Sequence, residues 1–377
     1  MIKTLHIVSS LRDNGGVQKL LYTYAGHLSN EVQFDFMVHE YADSQLLRRF
    51  KEIGSNIYPI KARKDVGLKE YLRVLKKTIK ELPPYDVIHI HIGYKSCVPL
   101  HYCKKYFKDT PVIVHIHSAI VNDSLKERIM KDIAVRYIKL KADDFFACGQ
   151  KAGIYFYGEK FFKKHNVFVM PNAIATDEYI YNEEKRNAIR SQFGIENNRV
   201  YGHVGTFYYP KNHEFLIDIF QKLYKKDKNA RLLLVGNGEL LENIREKVRC
   251  LNLEDVVFFA GVRQNVADFL SAFDYFILPS IYEGVPVSIV EAQSSGLKCF
   301  VSDSVTREVN ICEDISYISL GDAVKWANTI VTFSIPNSKT RLQKNIEMKE
   351  SIYNIENSAL LLLNRYIKLI GKEDEIN

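Results

Sequence analysis

Two carboxylates eight positions apart, Glu283 and Glu291, frame the segment Pro279-Ser-Ile-Tyr-Glu-Gly-Val-Pro-Val-Ser-Ile-Val-Glu-Ala-Gln-Ser-Ser-Gly296. The apolar run Tyr275-Phe-Ile-Leu278 before it reads as a strand. A loop carrying Glu283 and Gly284 follows. A helix then opens near Pro286 and closes at Gly296, where glycine suits a left-handed cap. A strand that feeds a loop and a helix start is a natural anion site, because the first helical N–H groups lack intrahelical partners and point outward. One carboxylate lies before the helix and the other about a turn inside it. That arrangement suits a ligand with a phosphate between two hydroxyl-bearing ends, the shape of a nucleotide sugar. The competing reading is a capping box, since Ser288 and Glu291 have the Ser-x-x-Glu spacing that ties down a helix start.

Other segments carry residues with chemical potential. The first strand ends in Ser9-Ser-Leu-Arg-Asp-Asn-Gly-Gly-Val-Gln-Lys19, where Gly15 and Gly16 let backbone approach an anion closely. A plain strand–helix turn explains the same pair. Histidines cluster in Ile88-His-Ile-His-Ile92 and Val114-His-Ile-His-Ser118, and alternate residues of a strand share a sheet face. So many imidazoles raise zinc, but no cysteine or carboxylate ligand spacing accompanies them, and no metal site is expected. In His203-Val-Gly-Thr-Phe-Tyr-Tyr-Pro-Lys-Asn-His-Glu-Phe-Leu-Ile217, Gly205 ends a strand and Lys211 stands at a helix start. A lysine there runs against the helix dipole, so its placement asks for an anionic partner. Leu232-Leu-Leu-Val-Gly-Asn-Gly-Glu-Leu240 adds a Gly236-x-Gly238 turn after a strand, a weak signal by itself.

The elements that must hold these residues alternate strand and helix, which implies α/β architecture with parallel sheets. The first set of strands is expected at 4–9, 32–38, 56–60, 87–92, 112–116, 145–148 and 167–170. The second is expected at 199–204, 231–235, 256–259, 275–278, 299–302 and 315–318. The polar stretch 182–192 reads as a junction. The expected division is 1–185, 186–348 and a terminal amphipathic helix within 349–377. Two doubly wound sheets in tandem would face a central cleft with their strand C-termini. A chain of 377 residues accommodates two domains, and its 46% hydrophobic content can fill both cores. Apolar runs are strand-length, so no transmembrane helix is expected. The start of the chain is too short for a signal peptide and reads as a strand. Six cysteines without Cys-x-x-Cys spacing suit free thiols in a reducing cytoplasm.

Charge is uneven. Residues 1–190 hold 31 Lys and Arg against 21 Asp and Glu, whereas 191–377 hold 21 against 24. The excess concentrates in 61–80 and 95–141. In Leu68–Lys80 apolar residues recur at helical spacing with lysines between them, a pattern open to an anionic membrane surface or to an ordinary solvated helix face. The excess is modest and no nucleic-acid recognition motif accompanies it, so nucleic acid is not an expected partner.

Taken together, the Glu283/Glu291 pair, Lys211, the Gly236-x-Gly238 turn and the segment Val257-Phe-Phe-Ala-Gly-Val-Arg263 resemble, in order and spacing, the retaining glycosyltransferases of family 4 (group 1). These have the GT-B fold of two Rossmann-like domains. The resemblance spans the chain and is strongest over 200–305. It implies sugar transfer from a nucleotide-diphosphate sugar, most readily a UDP-sugar, to a saccharide or lipid-linked saccharide in surface polysaccharide synthesis, with no metal or other cofactor. His117 would stand beside the transferred sugar. Gly15 and Gly16 would face the donor phosphates, and Glu283 would grip sugar hydroxyls. Lys211, Gly205 and Thr206 would meet the diphosphate, with Gly236, Gly284 and Val285 supplying backbone. Val262 and Arg263 would flank the base, and Glu291 would accept from the ribose. Thr206 stands where the family has an arginine, which leaves Lys211 as the main expected cation, with Arg263 as a candidate substitute. Pro171-Asn-Ala-Ile174 resembles the family's Pro-Asn-Gly turn, where Ala173 would be strained if its φ were positive. A GT-B epimerase and a non-catalytic nucleotide-sugar-binding partner are the alternatives. The first would release free epimer without an acceptor, and the second would bind donors without turnover.

Overall fold

The computed structural model describes residues 1–12, 16–40, 43–117 and 125–371. The chain forms two compact units, Met1–Asn172 with Ile355–Asn377, and Ala173–Asn354.

In the first unit the strands are β1 (Ile2–Ser10), β2 (Val32–Glu40), β3 (Ile57–Pro59), β4 (Val87–Ile90), β5 (Val112–Ile116), β6 (Asp144–Ala147) and β7 (Phe168–Val169). They form one parallel sheet in the order β3-β2-β1-β4-β5-β6-β7. The second unit has β8 (Arg199–Val204), β9 (Ala230–Val235), β10 (Val257–Gly261), β11 (Tyr275–Leu278), β12 (Lys298–Ser302) and β13 (Ile315–Ile318), ordered β10-β9-β8-β11-β12-β13. Each sheet therefore reverses strand order once, between β1 and β4 and between β8 and β11. In such sheets the crevice beyond the strand C-termini at the reversal is where ligands bind.

The strands form because both faces are buried. In the second sheet Val200, Leu233, Val235, Phe276, Leu278, Cys299 and Val301 pack into one core, and their neighbours Tyr201, Leu232, Leu234, Tyr275, Ile277 and Phe300 into the other. This two-residue period with apolar groups at every position is the mark of a sheet covered by helices on both sides.

The division of the chain differs from the sequence expectation. It falls at 172/173 rather than 185/186, because Ile174 and Ile189 join the second core and Arg186 and Arg190 bind Asp274 at 2.7 and 2.8 Å. It returns at 354/355 rather than 348/349. Ile174 N–H donates to Tyr353 O at 2.9 Å, so the two crossings run side by side. The terminal helix expected near 349–370 is Ile355–Leu369, which starts some residues later than expected and is preceded by a separate helix, Ser338–Glu350. The terminal helix buries Ile355, Ala359, Leu362 and Tyr366. Tyr366 Oη meets His89 Nδ1 at 2.8 Å, and Arg365 holds Asp144 through Nε and Nη2 at 2.6 and 2.7 Å. Ala173 has no positive φ, so its departure from glycine carries no strain. The helix Arg63–Glu81 turns Tyr71, Leu75 and Ile79 inward. These three residues are core, while Leu68 and the lysines of this helix are exposed.

One buried cation organises the second unit. Arg341, on the helix Ser338–Glu350, donates to Ser295 O, Ser271 O, Phe273 O and Leu270 O at 2.8–3.2 Å. These carbonyls lie at the C-terminal ends of the helices Val266–Ala272 and Val287–Ser294, where the last C=O groups have no intrahelical donor. Gly296, at φ +68°, permits the approach, since a Cβ there would lie 2.3 Å from Arg341 Cα. Burial lowers the guanidinium pKa to about 9, and it stays charged at neutral pH. Arg341→Leu would strand four carbonyls in the core. It is expected to cost about 3–5 kcal/mol in urea unfolding of the second unit, the size seen when a buried charged network loses one partner.

Candidate functional site

At the C-terminal edge of the second sheet, loops after β8, β9, β10 and β11 come together through backbone. Gly205 N–H donates to Val235 O at 3.0 Å and Gly236 N–H to Gly261 O at 2.9 Å. A Cβ on Gly236 (φ +142°) would lie 2.0 Å from Gly205 O, one on Gly238 2.4 Å from Phe207 O, and one on Gly205 2.9 Å from His203 Nε2. The Gly236-x-Gly238 turn is thus required for loops to touch, whatever it also offers a ligand.

Lys211 closes the short 3-10 turn Tyr209–Lys211, and Asn212 follows at φ +56° before the helix His213–Lys226. The Lys211 Nζ lies 2.6 Å from Glu283 Oε1, and their side chains are only 12% and 13% exposed. Ser280 Oγ donates to the same carboxylate oxygen at 3.2 Å. Asn212 Nδ2 donates to Pro279 O at 3.1 Å, and Ile281 N–H to Pro210 O at 2.8 Å. The loops after β8 and β11 are therefore stitched across the reversal of strand order. The anion that Lys211 required from its position is supplied, in this structure, by Glu283.

Glu291 belongs to the helix Val287–Ser294, whose N-cap is Pro286 without a side-chain cap bond. Ser288 Oγ is buried without a partner among the described residues, and the helix starts before it, so the capping-box reading fails. Glu291 Oε1 instead accepts from Tyr179 Oη at 2.9 Å. Burial first, and then the Glu291 charge, push the Tyr179 phenol pKa far up, so it remains a donor. Thr206 is exposed, Gly284 is half-buried and Val285 buried. Val262 is 66% exposed beyond β10. Arg263 is turned onto its own loop, with Nε donating to Ala260 O at 2.8 Å and the guanidinium 5.5 Å from the Phe269 ring. Beneath Lys211, His203 and His213 are buried and neutral, since burial lowers their pKa values to about 4 and about 2.

In the first unit Gly16 opens the helix Gly16–His27, while Gly15 lies outside the described residues. His91 and His117 stand just past the C-termini of β4 and β5. His117 is half-buried and its Nε2 lies 2.9 Å from His91 Nδ1. His6, His89 and His115 are fully buried on the sheet face opposite Leu5, Ile88 and Val114. Two histidine trios, 6/89/91 and 91/115/117, have ligand nitrogens within 4.8 Å of one another. Both share His91, whose Nε2 and Nδ1 already meet His6 and His117 at 3.0 and 2.9 Å.

A model described as Glycosyltransferase Family 4 matches residues 14–178, and one described as Glycosyl transferases group 1 matches 198–334. The chain belongs to the group 1, family 4 glycosyltransferases. The putative glycosyltransferase EpsF of Bacillus subtilis is 26% identical to it, across 97% of this chain and 96% of EpsF. The UDP-Gal:alpha-D-GlcNAc-diphosphoundecaprenol alpha-1,3-galactosyltransferase of Escherichia coli is 23% identical, across 80% of each chain. The crystal structure of Anabaena Alr3699/HepE in complex with UDP and glucose superposes with a TM-score of 0.76, covering 97% of this chain and 99% of that one at 17% identity. The two parallel-sheet domains of this glycosyltransferase are those of the GT-B fold.

Sequence reading missed Tyr179, which lies 112 positions from Glu291, and Ser280, which lies three positions before Glu283 but carries no motif of its own. Strand periodicity puts His89, His91 and His115 on one sheet face but does not show what joins them. These residues generate a pH dependence. Burial holds His89, His91 and His115 well below 6.5 and His6 at about 3, so the folded state keeps them neutral while the unfolded chain binds protons below pH 6.5. Their contribution to stability is complete above pH 6.5 and is lost as pH falls toward 3. Each such histidine costs about 1.4 kcal/mol per pH unit in that window. Thermal unfolding of the first unit should therefore shift steeply to lower temperature between pH 6.5 and 5 and stay level from pH 7 to 8.

Proposed function

We propose that the protein transfers a sugar from a UDP-sugar to a saccharide or lipid-linked saccharide of a surface polysaccharide, with retention of configuration and without a metal. The observation that carries this reading is the Lys211–Glu283 pair, set at 2.6 Å across the strand-order reversal, with Glu291 held nearby in the same segment by Tyr179. A donor diphosphate competes with Glu283 for Lys211. Glu283 then turns to accept from hydroxyls of the transferred sugar, and Glu291 accepts from the ribose. The exposed Thr206 hydroxyl and the amides opening the helix after Glu283 add donors to the phosphates. Positive potential in a partly desolvated site stabilises the charge that develops on the leaving diphosphate.

The bond from the anomeric carbon to the phosphate oxygen breaks while the bond to the acceptor oxygen forms on the same face. The acceptor's proton passes to the departing phosphate. The Escherichia coli relative, named for UDP-Gal and a diphosphoundecaprenol-linked saccharide, supports this donor and acceptor class, as does the UDP held by the Anabaena protein. Calorimetric titration with UDP tests the site. Lys211→Ala and Glu291→Ala should each weaken binding at least about tenfold, the loss expected for one charge-assisted hydrogen bond. Parent-like affinity in both variants would overturn the assignment.

We further propose that the first unit contacts an anionic membrane surface, at the inner face of the cell membrane, where lipid-linked acceptors reside. None of the described helices is long and apolar enough to cross a membrane. The helix Leu125–Lys141 exposes Ile129, Met130, Ile133 and Leu140, with Arg128 and Arg136 also exposed. Met130 and Ile133 also line an open apolar groove of about 520 Å³ with Leu72, Val98 and Tyr102. Apolar groups flanked by cations suit an interfacial helix. Co-sedimentation with vesicles should require anionic lipid, fall with salt and drop several-fold in Ile133→Asp. Indifference to lipid charge and to this substitution would remove the proposal.

A further inference from the structure

A line of hydrogen bonds runs from inside the first sheet to its C-terminal edge. Thr4 Oγ1 lies 2.9 Å from the backbone carbonyl of Gln33 and 3.1 Å from His6 Nε2. His6 Nδ1 lies 3.0 Å from His91 Nε2, and His91 Nδ1 lies 2.9 Å from His117 Nε2. One fixed group gives this line a direction. The Gln33 carbonyl can only accept, so the single Thr4 hydroxyl proton goes to it. Thr4 Oγ1 must then accept from His6 Nε2–H. A neutral imidazole carries one N–H, so His6 Nδ1 is a lone pair and accepts from His91 Nε2–H. His91 Nδ1 in turn accepts from His117 Nε2–H, which leaves the His117 proton on Nε2.

We infer that Thr4, His6 and His91 are positioning residues that fix His117 as the Nε2–H tautomer and present its Nδ1 as a hydrogen-bond acceptor to a ligand hydroxyl. That a sugar hydroxyl is the group met there rests on the glycosyl-transfer reading above. The polarity of the chain does not. Desolvation keeps all three rings neutral, with His6 and His117 lowered to about 3. Among the described residues His117 Nδ1 has no hydrogen-bond partner. A bare lone pair there selects a donor such as a hydroxyl and turns away a phosphate oxygen, which has no proton to offer. The same commitment of both His91 nitrogens argues against a metal in either histidine trio, since an ion would have to break the chain.

Long-range proton–nitrogen correlation spectra of the full chain with 15N-labelled histidine read the tautomer directly. His117→Gln identifies the His117 signals by their loss. In the parent, His6, His91 and His117 should each show a protonated Nε2 and an unprotonated Nδ1. A His117 protonated at Nδ1 overturns the inference, and this spectrum decides the matter even where a variant fails to fold. Thr4→Val removes the acceptor that His6 Nε2–H has among the described residues and should move the His117 ring toward the Nδ1–H tautomer, while Thr4→Ser should keep the parent pattern. An unchanged His117 spectrum in Thr4→Val also overturns it, as does displacement of the His91 signals by one equivalent of zinc. Thr4→Val should slow UDP-sugar turnover about tenfold, the value of one hydrogen bond made in the transition state, with calorimetric UDP affinity unchanged. If the parent does not bind UDP, the donor reading fails while the tautomer spectra still report on the chain.

Discussion

The reversal of strand order in each sheet is the constraint on which the candidate chemistry depends. Parallel strands joined by crossover helices send successive loops to the same edge. Where the order reverses, the loops on either side diverge and leave a crevice. In the second unit that point lies between β8 and β11, and the loops leaving those strands bring Lys211 and Glu283 to 2.6 Å although 72 positions separate them. In the first unit it lies between β1 and β4, where Gly16 and His91 follow the strands. Neither arrangement depends on the identity of the helices, only on their hand and on the order in which strands are laid down.

Close backbone approach is the second requirement. Gly205, Gly236 and Gly238 each occupy positions where a Cβ would meet backbone or a buried imidazole at 2.0–2.9 Å. The loops after β8, β9 and β10 can then hydrogen-bond directly, which fixes the edge from which Lys211 and Thr206 project. Arg341 plays the corresponding part behind the site, binding the C-termini of the helices Val266–Ala272 and Val287–Ser294. The second of these helices carries Glu291, so a cation far along the chain steadies a carboxylate of the candidate site.

Buried polarity in the first unit is handled differently. Five imidazoles gather where a parallel sheet ordinarily has aliphatic side chains. Kept neutral by desolvation, three of them share protons in one direction, from the sheet edge inward to Thr4. His89 is tied instead to Tyr366 of the terminal helix, and His115 packs against His117 with ring centroids 3.9 Å apart. Such an arrangement gives a residue at the edge a defined hydrogen-bonding character without giving it charge.

Much of this was legible in the amino-acid order. Among the described residues all thirteen strands stand at or within two residues of where apolar runs placed them, because strands buried on both faces need continuous apolar sequence. The positions of Glu283, Lys211 and the glycine turns in loops after strands were legible because apolar runs mark the strands that these loops follow. The unit boundaries were not, because Ala173–Phe193 is polar in sequence yet packs through Ile174, Ile189 and two arginines against distant strands. Nor did local spacing show that Glu291 is held by Tyr179 rather than serving a capping box with Ser288. Periodicity and local turn chemistry are written along the chain. Which anion answers a lysine, which hydroxyl answers a carboxylate and which way a row of imidazoles passes its protons depend on groups brought together from remote positions, and only the tertiary structure decides them.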